Sequence, residues 1–181
     1  WSQPAKAVAV GLELVLAVDV SGSINTTEYD LQKNGYVNAF NSVAVQNTIL
    51  GSFGGSIAVT YVEWSGAAQQ SQQVAWTLIN SVSSAQSFAT AIAASTRAFS
   101  GQTAPGSAIA FSDALFSGNG FEAARTVIDV SGDGIENEGT DTATARNAAL
   151  ASNTAAINGL SIGGVAIDAF YSSNVVGGPG S

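Results

Sequence analysis

Residues 12–20 read Leu-Glu-Leu-Val-Leu-Ala-Val-Asp-Val, apolar at nearly every position. A strand whose two faces are both covered reads this way, so the run predicts a central strand of a parallel sheet. Helical spacing comes next. Tyr36, Val37, Phe40, Val43 and Ala44 recur three and four residues apart behind Asn25, Thr26, Thr27 and Glu28, which together form an N-terminal capping signature. One helix is predicted there, ending near Asn47. Beyond the glycines of 51–55, residues 57–64 predict a second strand and 74–79 a third. The short link between them predicts a hairpin, with the third strand antiparallel and at an edge.

Ala85, Phe88, Ala89, Ile92, Ala93, Thr96 and Phe99 trace one helix face, and a further helix is expected over 107–116, past the turn at 103–106. Residues 126–130 predict the next strand. Thr140 or Asp141 can cap an Ala-rich helix running to about Ala156, and 160–167 predict a last strand interrupted by glycines. Strands alternating with helices imply one α/β layered domain, a mostly parallel sheet with helices on its faces.

Composition narrows the chemistry. The chain has 181 residues, enough for one domain with a sizeable core, and contains neither Cys nor His. Disulfides, thiolate sites, cysteine nucleophiles and the usual general base are thereby excluded. Five Lys plus Arg against thirteen Asp plus Glu give a net charge of −8, which argues against a nucleic-acid partner. Charged residues make up only 10% of the chain, against roughly 25% in an average soluble domain, so much of the surface must be uncharged polar or small. Glu13 and Asp19 interrupt the longest apolar run, and no membrane span is expected. A chain that starts at Trp1 and contains no Met is expected to be the product of signal removal, hence exported.

Where the first strand ends, Asp19, Ser21 and Ser23 occupy alternate positions with Gly22 at the bend. A turn can aim all three oxygens at one point, and such oxygens suit a hard cation such as Mg²⁺. The same residues also suit an ordinary strand-to-helix turn that caps the next helix. The tetrapeptide Asp-Val-Ser-Gly returns at 129–132, again at the end of an apolar strand. Ligands of open α/β sheets bind at the carboxyl ends of the strands, so both turns belong to one edge, within reach of the hydroxyl-bearing loop Gly101-Gln102-Thr103-Ala104-Pro105-Gly106.

An Asp-x-Ser-x-Ser turn, a later Thr before Gly-x-Ala-Ile and an Asp-Gly turn after a later strand together resemble the metal-ion-dependent adhesion site of von Willebrand factor type A domains. The resemblance assigns the metal to Asp19, Ser21, Ser23, Thr103 and Asp133, with Mg²⁺ expected and Mn²⁺ or Ca²⁺ as alternatives. The family's Thr-Asp-Gly is Gly132-Asp133-Gly134 here, and Asp129 is a competing acid whose expected role is a buried carboxylate with a hydrogen-bonded partner. Over residues 8–178 the chain is also similar to a poorly characterised group of bacterial secreted type A proteins, through Glu28-Tyr29-Asp30-Leu31-Gln32, Val62-Glu63-Trp64-Ser65-Gly66 and Ile157-Asn158-Gly159-Leu160.

This resemblance implies a Rossmann-like three-layer sandwich of strand order 3-2-1-4-5-6, from which the chain is expected to depart as 3-2-1-4-5, without the usual sixth strand and final helix. It divides the chain into an arm, 1–10, and a domain, 11–181. It implies an adhesion or protein-binding module, secreted or at the cell surface, whose cation accepts a carboxylate from an acidic residue of a protein partner, and not an enzyme. The alternative is a structural subunit of an extracellular assembly or filament, self-associating by strand exchange between the edge of the last strand and the arm segment 5–10. Glu136, Glu138 and Asp141 read as a solvated acidic loop at a helix start, or as holders of a second cation. Trp64 is expected to close the core at a strand end.

Overall fold

The computed structural model describes residues 6–181. In chain order it contains β1 (Val8–Val10), β2 (Leu12–Asp19), α1 (Thr26–Asn41), α2 (Val43–Gly51), β3 (Ile57–Trp64), β4 (Gln70–Ile79), α3 (Val82–Ala94), α4 (Pro105–Ala114), β5 (Phe121–Ala123), β6 (Thr126–Gly132), α5 (Thr142–Leu150), β7 (Ala156–Ser161) and α6 (Val165–Phe170). A wide π-helical turn, Tyr171–Val175, follows α6.

Five strands form the main sheet in the order β4-β3-β2-β6-β7. Numbered by their appearance in that sheet, this is the expected 3-2-1-4-5, parallel throughout except for β4, which pairs antiparallel with β3 at one edge. The α/β sandwich is therefore Rossmann-like, with the reversal of strand order between β2 and β6. Side chains of β2 alternate between two cores because successive residues point to opposite faces. Leu16 and Val18 join the core beneath α1, α2 and α3, with Phe40, Ile49 and Phe88, whereas Val15 and Ala17 join the one beneath α4 and α5, with Ile109, Ile128 and Tyr171. Trp64 is fully buried in the second of these, as expected of a residue closing the core.

Several boundaries differ from those the hydrophobic pattern predicts. The single helix expected to Asn47 breaks at Ser42, whose extended backbone closes α1 through an N–H bond to the Ala39 carbonyl, while its hydroxyl accepts from the Val45 N–H to open α2. Apolar spacing continues across the break, so periodicity alone conceals it. The helix expected through Thr96 and Phe99 ends at Ala94, and Phe99 instead packs on Val20, Ile24 and Tyr29. The last strand is Ala156–Ser161 and not 160–167, and the Ala-rich helix stops at Leu150. Burial explains the shift: Ala156 and Ile157 are wholly buried, whereas Val165 is 84% exposed and starts a helix.

The arm also departs from expectation. Residues 1–5 of the arm, which include the first residue of the proposed strand donor 5–10, lie outside the described residues. Val8–Val10 is already paired within the chain, parallel to Phe121–Ala123 in a two-stranded sheet. At the far edge, Ile157 and Gly177 exchange two backbone hydrogen bonds of 2.8 and 3.0 Å, so the segment after Tyr171 covers the start of β7. The edge expected to be open is partly closed by the chain itself.

Candidate metal centre

β2 delivers Asp19 to the carboxyl end of the sheet on the same face as Val15 and Ala17, and the side chain is fully buried there. Its Oδ1 accepts the Ser21 N–H at 2.7 Å, a local bond that bends the chain as the strand ends. The hydroxyls of Ser21 and Ser23 lie 3.1 Å apart, and Ser23 donates to Asp133 Oδ1 at 2.6 Å. Asp133 follows directly on β6, the parallel neighbour of β2, so adjacent strand ends supply the two carboxylates.

Thr103 arrives from the loop before α4. Asn137 fixes it reciprocally: the Thr103 N–H donates to Asn137 Oδ1 at 2.9 Å, and the Asn137 N–H donates to the Thr103 carbonyl at 3.0 Å. Its side chain packs on Gly134, where an added Cβ would lie 2.9 Å from Thr103 Cγ2 and 3.2 Å from Oγ1. Ser65 holds the same loop, accepting the Gly101 N–H at 2.8 Å and donating to the Gln102 carbonyl at 2.9 Å. Burial is graded, from Asp19 and Ser21 inside to Ser23 at the surface.

Arg97 belongs to none of the sequence motifs, yet it lies in this region. Its guanidinium donates to the carbonyls of Val20 at 2.9 Å, Ser21 at 2.7 Å and Phe99 at 2.9 Å, tying the 19–23 turn to the loop that leads to Thr103. Buried Glu63 anchors that loop from the other side, accepting from the Tyr29 hydroxyl and the Ala98 N–H, both at 2.8 Å.

The electrostatics of Asp19 are those of a carboxylate with no countercharge. Burial raises its pKa to about 6, against the lowering effect of its Ser21 hydrogen bonds, and the Asp133 charge adds to the rise. Oδ2 is buried with no hydrogen-bond partner among the described residues. An unpaired buried charge of this kind is unfavourable until a cation or proton neutralises it. The donor set fits a hard divalent ion: two carboxylates and three hydroxyls, all oxygen. Among the described residues no three His, Cys, Asp or Glu side chains gather to hold a metal, and this candidate donor set contains only two carboxylates.

The rival acid is engaged elsewhere. Asp129 accepts from Asn158 Nδ2 at 2.5 Å on the face turned toward α1, and burial raises its pKa. The acidic loop after Asp133 is used for structure as well. Glu136 accepts from the Thr142 N–H and hydroxyl, Glu138 from the Ala67 N–H, and Asp141 caps α5 through the Thr144 N–H.

One more residue reaches the site without any motif to announce it. Tyr171 is buried, and the charges of Asp19 and Asp133 add to burial in raising its pKa well above the usual tyrosine range. The departure at Gly132 is its sequence trace: a Cβ there would lie 2.4 Å from the Tyr171 hydroxyl and 2.7 Å from Asp19 Oδ2. A threonine at 132 does not fit beside this tyrosine.

Comparison with known structures agrees with the fold. Proximal thread matrix protein 1 from the mussel byssus, in a form described as having a zinc-occupied MIDAS motif, superposes with a TM-score of 0.65 at 18% identity, over 88% of this chain and 39% of that one. An aerotolerance-related membrane protein from Bacteroides fragilis gives 0.55 at 19% identity, over 84% and 67% of the two chains. The PilB minor pilin of Streptococcus sanguinis gives 0.55 at 16% identity, over 71% and 31%. The chain thus spans about two fifths of the mussel protein's length, and at these identities the likeness shows the type A fold. Among the described residues no helix is long and apolar enough to cross a membrane. No curated protein matches the sequence significantly. A family model matches residues 9–181, and the chain belongs to that family, described as a protein of unknown function (DUF1194).

Proposed function

We propose that this protein binds a divalent cation, Mg²⁺ with Mn²⁺ or Ca²⁺ as alternatives, through Asp19, Ser21, Ser23, Thr103 and Asp133, and uses it to grip an acidic side chain of a protein partner. The observation that carries the reading is the meeting of Asp19, Ser21, Ser23 and Asp133 at the ends of β2 and β6, with Asp19 Oδ2 buried and unpaired. Two carboxylates and neutral hydroxyls leave a divalent ion coordinatively open toward solvent on the Ser23 side, where a partner's carboxylate can enter. Affinity and metal dependence would then arise together. A chain without His or Cys offers little for acid–base or nucleophilic catalysis, and we assign none.

An adhesive role at a bacterial cell surface or outside it is supported by the likeness to byssal and pilus proteins and by the sparse surface charge. A second reading, a structural subunit of an extracellular assembly, draws on the pilin likeness and on the part of β7 beyond Ile157. The pairing of Val8–Val10 within the chain counts against strand donation by that segment.

The test is thermal melting with and without Mg²⁺ at two pH values. A ligand at a hundred times its dissociation constant stabilises the native state by about 2.7 kcal/mol, which for a domain of this size raises the melting temperature by roughly 5–10 °C. Because the folded-state pKa of Asp19 is raised to about 6 from 3.8, the folded protein takes up this proton first. The metal-free protein therefore loses stability as pH rises through that window, and Mg²⁺ recovers most where Asp19 is ionised. The shift should be full at pH 7 and about half as large at pH 5. An equal shift at both values, or none at pH 7, contradicts the assignment of Asp19.

A further inference from the structure

Tyr171 belongs to the core beneath α4 and α5, yet its hydroxyl reaches the cation site. The alternation of β2 and β6 explains how: Asp19 follows Val15 and Ala17, and Gly132 follows Ile128 and Val130, on the face that Tyr171 covers. With no side chain on Gly132, the space beside it is left to Tyr171 Oη and Asp19 Oδ2, which lie 2.4 and 2.7 Å from the position a Cβ would take. Those two oxygens are necessarily within a few ångströms of each other.

Both are buried, Tyr171 at 1% and Asp19 at 0% exposure, and neither has a hydrogen-bond partner among the described residues. Leaving a donor and a charged acceptor unpaired in one corner is unfavourable for both groups, and more so for the charged one. A core-filling role accounts for the ring and not for the hydroxyl, since Phe would fill the same volume without the penalty. The arrangement is explained if the corner is completed by a polar ligand.

We propose that Tyr171 is a positioning residue of the cation site, its hydroxyl donating to a water of the bound ion's hydration shell that completes the corner beside Asp19 Oδ2. Gly132 is the residue that admits it. The inference rests on the reading of Asp19 to Asp133 as a cation site and adds a residue that no motif contains. It also links the site to the segment after α6, because Tyr171 begins the turn that leads to the Ile157–Gly177 pairing.

The experiment is calorimetric titration of Mg²⁺ alone into the whole wild-type chain, Tyr171→Phe and Tyr36→Phe, with metal-free melting temperatures for all three. Tyr36 is the control because its hydroxyl bonds to Ser131 on the α1 face of the sheet, opposite the face that carries Asp19 and Tyr171. Partners of ligating groups typically contribute 10–100-fold in metal affinity, so Y171F should weaken Mg²⁺ binding by about tenfold while its metal-free melting temperature stays level or rises. Y36F should bind as wild type does. A purely structural tyrosine would leave the dissociation constant unchanged, and equal affinities in wild type and Y171F overturn this inference alone. No saturable heat from wild type overturns it together with the reading beneath it. A second measurement needs no variant: Mg²⁺ should perturb the near-ultraviolet tyrosine absorption of the wild-type chain, and an unchanged spectrum at saturation counts against the proposal.

Discussion

Asp19→Asn abolishes the stabilisation by Mg²⁺ and, in metal-free buffer at pH 7, raises the melting temperature. The two effects have one cause. Asp19 is fully buried, its Oδ2 has no partner, and its pKa is held near 6 by burial, so ionising it at neutral pH opposes folding. A rise of about two pKa units corresponds to roughly 3 kcal/mol, a ceiling on what removing the charge can return. Asn keeps the size and can still accept the Ser21 N–H through its amide oxygen, so about 1–3 kcal/mol of stabilisation, a few degrees, is expected. A group kept only for structure behaves in the opposite way. If D19N melts lower than wild type without metal, or still gains several degrees from Mg²⁺, the carboxylate is not there for a cation.

Gly106→Ala should damage stability and site together. The position of its Cβ lies 2.0 Å from the Thr140 carbonyl oxygen and 3.0 Å from Thr142 Cα, backbone on every side, so no rotamer change relieves the contact. The start of α4 and the start of α5 must move apart, at a cost of about 1–3 kcal/mol for overpacking. That movement pulls on the loop at 136–141, where Asn137 holds Thr103 by two hydrogen bonds. A site built to sub-ångström tolerance loses affinity when its support shifts, and Mg²⁺ binding should fall by about tenfold or more. Gly35→Ala is the contrast. Nothing lies within 4 Å of its added Cβ, and in the interior of α1 alanine should stabilise by about 0.5–1 kcal/mol. Parallel melts and titrations of the two variants separate close backbone approach from a general intolerance of Gly substitution.

The strand order was legible because burial on both faces leaves an unmistakable signature, as in 12–20 and 57–64, and because parallel neighbours joined by helices allow few topologies. The break at Ser42 was not legible, since apolar spacing runs on through it and the deciding event is one serine hydroxyl capping a new helix. The last strand was misplaced for a related reason. Both 156–161 and 160–167 are mixtures of apolar residues and glycine, and only the buried positions of Ala156 and Ile157 choose between them.

Of the candidate site, Asp19, Ser21 and Ser23 were legible from their alternate positions at a strand end, whereas Thr103 and Asp133 entered only through the family resemblance. Arg97, Ser65 and Asn137 were not legible, since they act through backbone groups of other segments and no residue pattern marks that role. Tyr171 lies between these cases. Its own surroundings in sequence are unremarkable, but Gly132, where the resembling family carries Thr, marks the space that its hydroxyl fills.

The most direct measurement is the heat of Mg²⁺ titrated into the wild-type protein after exhaustive dialysis against EDTA and return to chelator-free buffer at pH 7. One saturable site per chain, lost in D19N, is the predicted result. Featureless heats of dilution, with Mn²⁺ and Ca²⁺ equally silent, would contradict the claim that Asp19, Ser21, Ser23, Thr103 and Asp133 form a cation site.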